Sequence, residues 1–133
     1  MAPLLFSRAV LAGRPIEVFN EGKMQRDFTH VSDIVSGILG ALAHPSSEDV
    51  PHRVFNLGNH TPIELEQFIG IIETAAGRPA HKVYKPMQPG DMVRTMADTR
   101  RARDAFGYEP ATPIERGLPP VVDWCRDYFG DRA

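Results

Sequence analysis

Residues Gln25-Arg26-Asp27-Phe28-Thr29-His30-Val31-Ser32-Asp33-Ile34 constrain the chain more than any other stretch, because they pass almost without a loop from one periodicity to another. A period of two over Gln25 to His30 predicts a strand with Arg26, Phe28 and His30 on one face. From Val31 to Ala43, the residues Ile34, Val35, Ile38, Leu39 and Leu42 fall on one side of a helix, an apolar face broad enough to be largely covered. After a polar loop from Pro45 to Pro51, Val54-Phe55-Asn56-Leu57 ending at Gly58 reads as a short buried strand. Strand, helix, strand in this order is a crossover unit that needs a sheet to lie on, so the predicted fold class is α/β.

The flanks supply the rest. Leu4, Leu5, Ala9 and Val10 recur at helical spacing from Pro3 to Ala12, with Gly13 placed to end the helix. Ile16 to Phe19 alternates as a half-buried strand, and Asn20-Glu21-Gly22 is turn chemistry. Thr61-Pro62-Ile63-Glu64 has capping-box spacing and introduces a helix through Leu65, Phe68, Ile69, Ile72 and Ala76, stopped by Gly77. Next come a strand from His81 to Lys85, a loop over Met87 to Asp91 and an extended piece from Val93 to Ala97. Asp98 reads as the N-cap of a short helix to Phe106, closed by Gly107. A second capping box, Thr112-Pro113-Ile114-Glu115, starts a final helix burying Val121, Val122, Trp124 and Tyr128. Pro119-Pro120 sits inside it, where an interior proline costs roughly 3 kcal/mol, so the helix is expected to break there.

With 133 residues the chain is one domain's worth. A formal charge of −2 with interspersed signs gives no electrostatic pull toward nucleic acid or membrane. No apolar run approaches ~18 residues, so no membrane span is expected. The lone Cys125 fits a reducing cytoplasm. The five histidines and this cysteine show no metal-ligand spacing, and surface imidazoles are the simpler reading. Gly37-Ile38-Leu39-Gly40 imitates a dinucleotide fingerprint. Its glycines lie in a helix interior, where close packing accounts for them better than a pyrophosphate does. Ser46 and Ser47 have no nucleophile elbow.

Three features carry candidate chemistry. If Phe28 is core, Arg26 points inward at the strand's mouth, where it takes either a phosphate bidentately or a structural ion pair with Asp27, Asp33 or another carboxylate. Gln88-Pro89-Gly90-Asp91 offers an amide, a tight turn and a carboxylate able to accept from two vicinal hydroxyls, or it is a polar surface turn. Phe19 is either a platform for a ring or core.

Gly13 to Phe19, Lys23 to Ile34, Phe55 to Asn59, Met87 to Asp91, and Asp123-Trp124 with Arg126-Asp127-Tyr128 together resemble the C-terminal part of an NAD-dependent nucleotide-sugar epimerase of the extended short-chain dehydrogenase/reductase class, nearest to the UDP-glucuronate 4-epimerases. The resemblance implies that the backbone at Val18 and Phe19 meets the uracil, that Arg26 clamps the diphosphate, and that Asp91 meets the ribose hydroxyls. Gln88 stands where galactose-type epimerases place a second phosphate-binding arginine. The class oxidises the sugar transiently with bound NAD, using a glycine-rich turn and a Tyr-x-x-x-Lys pair. Here Tyr84, Tyr108 and Tyr128 are followed four positions on by Gln88, Thr112 and Arg132, so the pair is not in this chain.

On this resemblance the chain is a single partial domain without the N-terminal Rossmann half. Residues 1–30 and 59–133 form its sugar-nucleotide part, and 31–58 is the crossover that in the family completes the Rossmann sheet. It is expected to be cytoplasmic, inactive alone and without its own cofactor, NAD serving only the intact family. Its ligand is a UDP-sugar, UDP-glucuronate or UDP-galacturonate, and its uncovered crossover face invites homo-oligomers. A free-standing nucleotide-sugar-binding module, and an interaction domain docking on a separate Rossmann subunit, stay open as alternatives.

Overall fold

The computed structural model describes residues 2–47, 49 and 52–130. Helix α1 (Ala2–Leu11) ends at Gly13, whose φ of 68° is the left-handed conformation a helix terminus needs. It leads into strand β1 (Pro15–Phe19), then β2 (Gln25–Arg26), α2 (Val31–Ala43), β3 (Ile63–Glu64), α3 (Leu65–Ala76) and β4 (His81–Lys85). The chain finishes with α4 (Arg100–Phe106), α5 (Ile114–Gly117) and α6 (Pro119–Phe129). The mixed α/β class holds, with two small sheets among the described residues: β1 pairs parallel with β4, and β2 pairs antiparallel with β3.

The core lies where the β1–β4 ribbon meets α1, α3 and α6. Ile16 and Val18 pack there with Val10, Phe68, Ile69, Ile72 and Val122. Phe28 lies flat on Phe68, with 4.6 Å between ring centroids and 7° between planes. Gly77, at φ 72°, stops α3, and Gly107, at φ 71°, stops α4.

Several expectations fail for physical reasons. The Gln25 to His30 strand is only two residues long, because Asp27 turns its carboxylate to neighbouring loop amides and Phe28 dives onto Phe68. Arg26, Phe28 and His30 therefore do not share a strand face; His30 instead caps α2, its Nδ1 accepting from the Ser32 amide. Residues 54–57 form no strand, since among the described residues no strand lies beside them to pair with, and Val54 is exposed. Neither capping box forms. Ile63 and Glu64 pair with Arg26 and Gln25, so α3 starts at Leu65, and the Thr112 hydroxyl donates to Asp33 instead. Trp124 and Tyr128 stack on one another at the surface, while Val122 and Cys125 are the residues α6 buries.

Periodicity alone asks for a covered α2 face and the resemblance for an uncovered one; it is uncovered, with Val31, Val35, Ile38, Leu39 and Leu42 all exposed, Leu42 by 72%. The break at Pro119-Pro120 does occur. Leu118 joins α5 to α6, and the two prolines take the first positions of α6, where a missing amide hydrogen costs nothing. The Pro45 to Pro51 loop lies partly outside the described residues.

Candidate functional site

Two parallel strands deliver the site. Phe19 and Lys85 are register partners at the same end of β1 and β4, so both strands discharge their following loops there. The Val18 side chain is fully buried, which leaves only its backbone to face a ligand, and Phe19 is half-buried. Beyond Phe19 the chain takes three left-handed residues in a row, Asn20 (φ 51°), Glu21 (φ 52°) and Gly22 (φ 78°). Such a conformation costs a residue with a β-carbon roughly 1–2 kcal/mol, and strain of this kind gathers at binding sites. The Asn-Glu-Gly sequence signals a turn, but not that Glu21 would be strained within it.

On the other side, the Asp91 amide donates to the Gln88 carbonyl at 3.2 Å, and Gly90 has φ 81°. Proline second and a left-handed glycine third is the pattern of a type II turn. The turn leaves Gln88 exposed and carries Asp91 to Arg26, whose Nη2 donates to Asp91 Oδ1 at 2.9 Å. Arg26 Nη1 donates to the Gln25 carbonyl at 3.0 Å. Asp91 Oδ1 also accepts from the Met92 amide at 2.9 Å, while Oδ2 takes no hydrogen bond among the described residues. The Arg26 and Asp91 side chains keep 29% and 35% of their surface exposed. In this structure Arg26 is thus ion-paired, and its partner is neither Asp27 nor Asp33. Two residues that the sequence offers as separate candidates, 65 positions apart, form one unit with open edges on both partners.

Sequence reasoning passed over what holds that unit. Asp27 Oδ1 accepts from the Asn59 amide at 3.1 Å, and Oδ2 accepts from the amides of His60 at 3.1 Å and Ala97 at 2.8 Å. The Gln25 amide donates to Val93, the Thr95 amide donates to Gln25, and the Asp27 amide donates to the Thr95 hydroxyl. Residues 91–97 are thereby fastened along Gln25-Arg26-Asp27. Buried Asp33 does similar work, accepting from the amides of Ala111 and Thr112, both at 3.1 Å. The only sequence signal was two aspartates six residues apart flanking a strand-to-helix junction.

Charge is organised elsewhere too. Lys82 sits 2.8 Å from Glu66 and 3.7 Å from Glu73, and the hydrogen bond to Glu66 raises its pKa. The Tyr84 hydroxyl donates to Glu66, which holds its pKa above the ordinary phenol value. Among the described residues no group of three or more His, Cys, Asp or Glu is placed to hold a metal. Gly37 and Gly40 are spent on packing: a β-carbon at Gly37 would come within 2.6 Å of Leu57 and one at Gly40 within 2.6 Å of the Phe106 ring. No helix is long and apolar enough to cross a membrane among the described residues.

The sequence profile of the NAD-dependent epimerase/dehydratase family matches residues 2–58. An uncharacterised protein of Methanocaldococcus jannaschii is 43% identical over 93% of this chain and 37% of its own length. UDP-glucuronate 4-epimerase 1 of Arabidopsis thaliana is 35% identical over 98% of this chain and 33% of its own length. The crystal structure of UDP-glucuronic acid 4-epimerase from Bacillus cereus, in complex with UDP-glucuronic acid and NAD, superposes with a TM-score of 0.85 at 26% identity, over 96% of this chain and 40% of that one. The chain thus spans about two fifths or less of the length of each of these three proteins.

Proposed function

The chain belongs to the NAD-dependent epimerase/dehydratase family and corresponds to a C-terminal part of such enzymes, and from that premise we propose that it is the UDP-sugar-binding portion of a UDP-glucuronate 4-epimerase. The observation that carries this reading is the Arg26–Asp91 unit, a cation and a carboxylate 2.9 Å apart and open on their outer edges, at the end of a fold similar to one that holds UDP-glucuronic acid. Arg26 presents its remaining N–H groups to the diphosphate, where a charge-assisted bond is about twice as strong as a neutral one. Asp91 accepts from the ribose hydroxyls through Oδ2. The backbone at Val18 and Phe19 lies against the uracil, and Gln88 lies beside the diphosphate as an uncharged donor.

When bound in the family, NAD supplies the transient oxidation and the hydride return. The residues present here do not fit it. Gly37 and Gly40 are occupied by Leu57, Tyr108 and Phe106, and no tyrosine has a lysine four positions on. In this reading the 133 residues bind and position a nucleotide sugar without turning it over.

A proton–nitrogen correlation spectrum titrated with UDP tests the binding half of this proposal. Localised shifts at Phe19, Arg26 and Asp91 are expected, and a well-dispersed spectrum that ignores UDP would remove the claim. Interconversion of UDP-glucuronate and UDP-galacturonate by this chain and NAD alone would overturn the rest.

The exposed α2 face favours a second role alongside the first. It is a surface for docking on a nucleotide-binding subunit or on another copy of this chain.

A further inference from the structure

Arg26 does not meet an incoming anion alone. Its Nη2 already donates to Asp91 Oδ1 at 2.9 Å, and the Asp91 side chain, 35% exposed, stands beside any phosphate that reaches the guanidinium. The carboxylate is held there firmly, because Oδ1 is shared with the Met92 amide and the Asp91 amide is tied to Gln88 across the turn. A bare anion that gains the guanidinium also comes close to the carboxylate, so repulsion offsets part of the attraction. A ligand that carries hydroxyl donors beside its phosphate changes the sum, because Asp91 Oδ2 has a lone-pair face to offer them.

We infer that Asp91 is a specificity-determining residue that screens Arg26 against bare anions and admits only phosphates with neighbouring hydroxyl donors. This deepens the nucleotide-sugar reading above and rests on it for the identity of the ligand. The physical device is rejection as well as attraction: an unpaired carboxylate beside a phosphate is a built-in repulsive element. Inorganic phosphate and pyrophosphate are abundant anions that a lone arginine would accept. The arrangement disfavours them as competitors, while a nucleoside diphosphate offsets the same repulsion with the hydroxyls it brings to Asp91.

The test compares pyrophosphate and UDP binding to the wild-type chain and to Asp91→Asn, by isothermal titration at low salt and by chemical shifts at Arg26. Asparagine keeps an acceptor for the Met92 amide and removes the charge. Pyrophosphate affinity is expected to rise about five- to tenfold in Asp91→Asn, while UDP affinity falls or holds, so that the preference for UDP collapses. Raising the salt concentration should shrink the gain, since a surface charge effect is screened. Unchanged or weaker pyrophosphate binding in the variant would overturn the inference and make Asp91 a mere prop for Arg26. Asp91→Ser, which also leaves an acceptor for the Met92 amide, gives the same reading if Asp91→Asn fails to fold. Failure of UDP to bind the wild type, with a gain of pyrophosphate binding in the variant, would sink the nucleotide-sugar reading and leave the screening device standing.

Discussion

Asp27 shows how one side chain can govern a site it never enters. Three backbone amides, from Asn59, His60 and Ala97, converge on its two oxygens. Leaving partly buried donors unmet costs about 1–3 kcal/mol, so Asp27→Ala is expected to lose about 2 kcal/mol or more in urea denaturation. The variant's UDP-induced shifts at Arg26 should also weaken, because residues 91–97 lose their fastening. Asp98 acts locally and in the open. Arg100 donates to it from its side chain and its backbone, and holds its pKa down to about 2 against an ordinary 3.8. A carboxyl whose folded pKa is depressed adds stability that is full above the unfolded value and is lost as pH falls through the folded one. The start of α4 should therefore keep its anchor through pH 4 and release it near pH 2, and the carboxyl carbon of Asp98 should titrate there in a carbon-detected series. A midpoint near 3.8 would show that Arg100 does not hold it. At this scale the sequence was half legible. It marked Arg26 and Asp91 by type, but their pairing across 65 positions depends on how β2 and the Gln88–Asp91 turn are brought together.

Elements were most legible where their signals are local. The spans of α2 and β4 follow from periodicity, and the left-handed glycines at 77 and 107 stop α3 and α4 as their sequence positions indicate. Both threonine capping boxes were misleading, because a side chain that can cap a helix can also bond elsewhere and a competing strand pair or carboxylate wins. The same competition decides what a helical glycine is worth. Alanine ordinarily improves a helix interior by about 1 kcal/mol over glycine. Gly70 has nothing within 4 Å of an added β-carbon, so Gly70→Ala should stabilise α3 by about 0.5–1 kcal/mol. Gly40→Ala should do the reverse, losing about 1–2 kcal/mol as its methyl meets the Phe106 ring. Thermal or urea unfolding of the pair reads both signs; stabilisation by Gly40→Ala would mean that α2 does not sit against α4 in solution.

Across the whole molecule, the uncovered α2 face is the main imbalance. Val31 and Leu42 are about 70% exposed, while none of the α2 residues joins the core shared by α1, β1, α3 and α6. Val31 also lines an apolar groove of about 590 Å³ with Phe28, Phe68, Leu118 and Trp124, which extends the unpartnered surface. Apolar surface of this kind favours association. Sedimentation of the chain alone is expected to show concentration-dependent self-association, and Leu39→Glu should shift it toward monomer; a monomer at high concentration would show that the face tolerates water by itself. The crossover grammar of residues 25–57 was correct about α2, too long for its first strand and wrong about its second, since a strand is stabilised by a neighbour that a period of two cannot supply. What the sequence determined alone was therefore what local forces settle: helix periods, left-handed stops, the proline break at Leu118, and motifs that name a family. What only the tertiary structure decided was which groups meet: that Arg26 is answered by Asp91, and that Asp27 gathers three loop amides. Each of these depends on residues far apart in the chain, whose encounter is set by the packing of the whole.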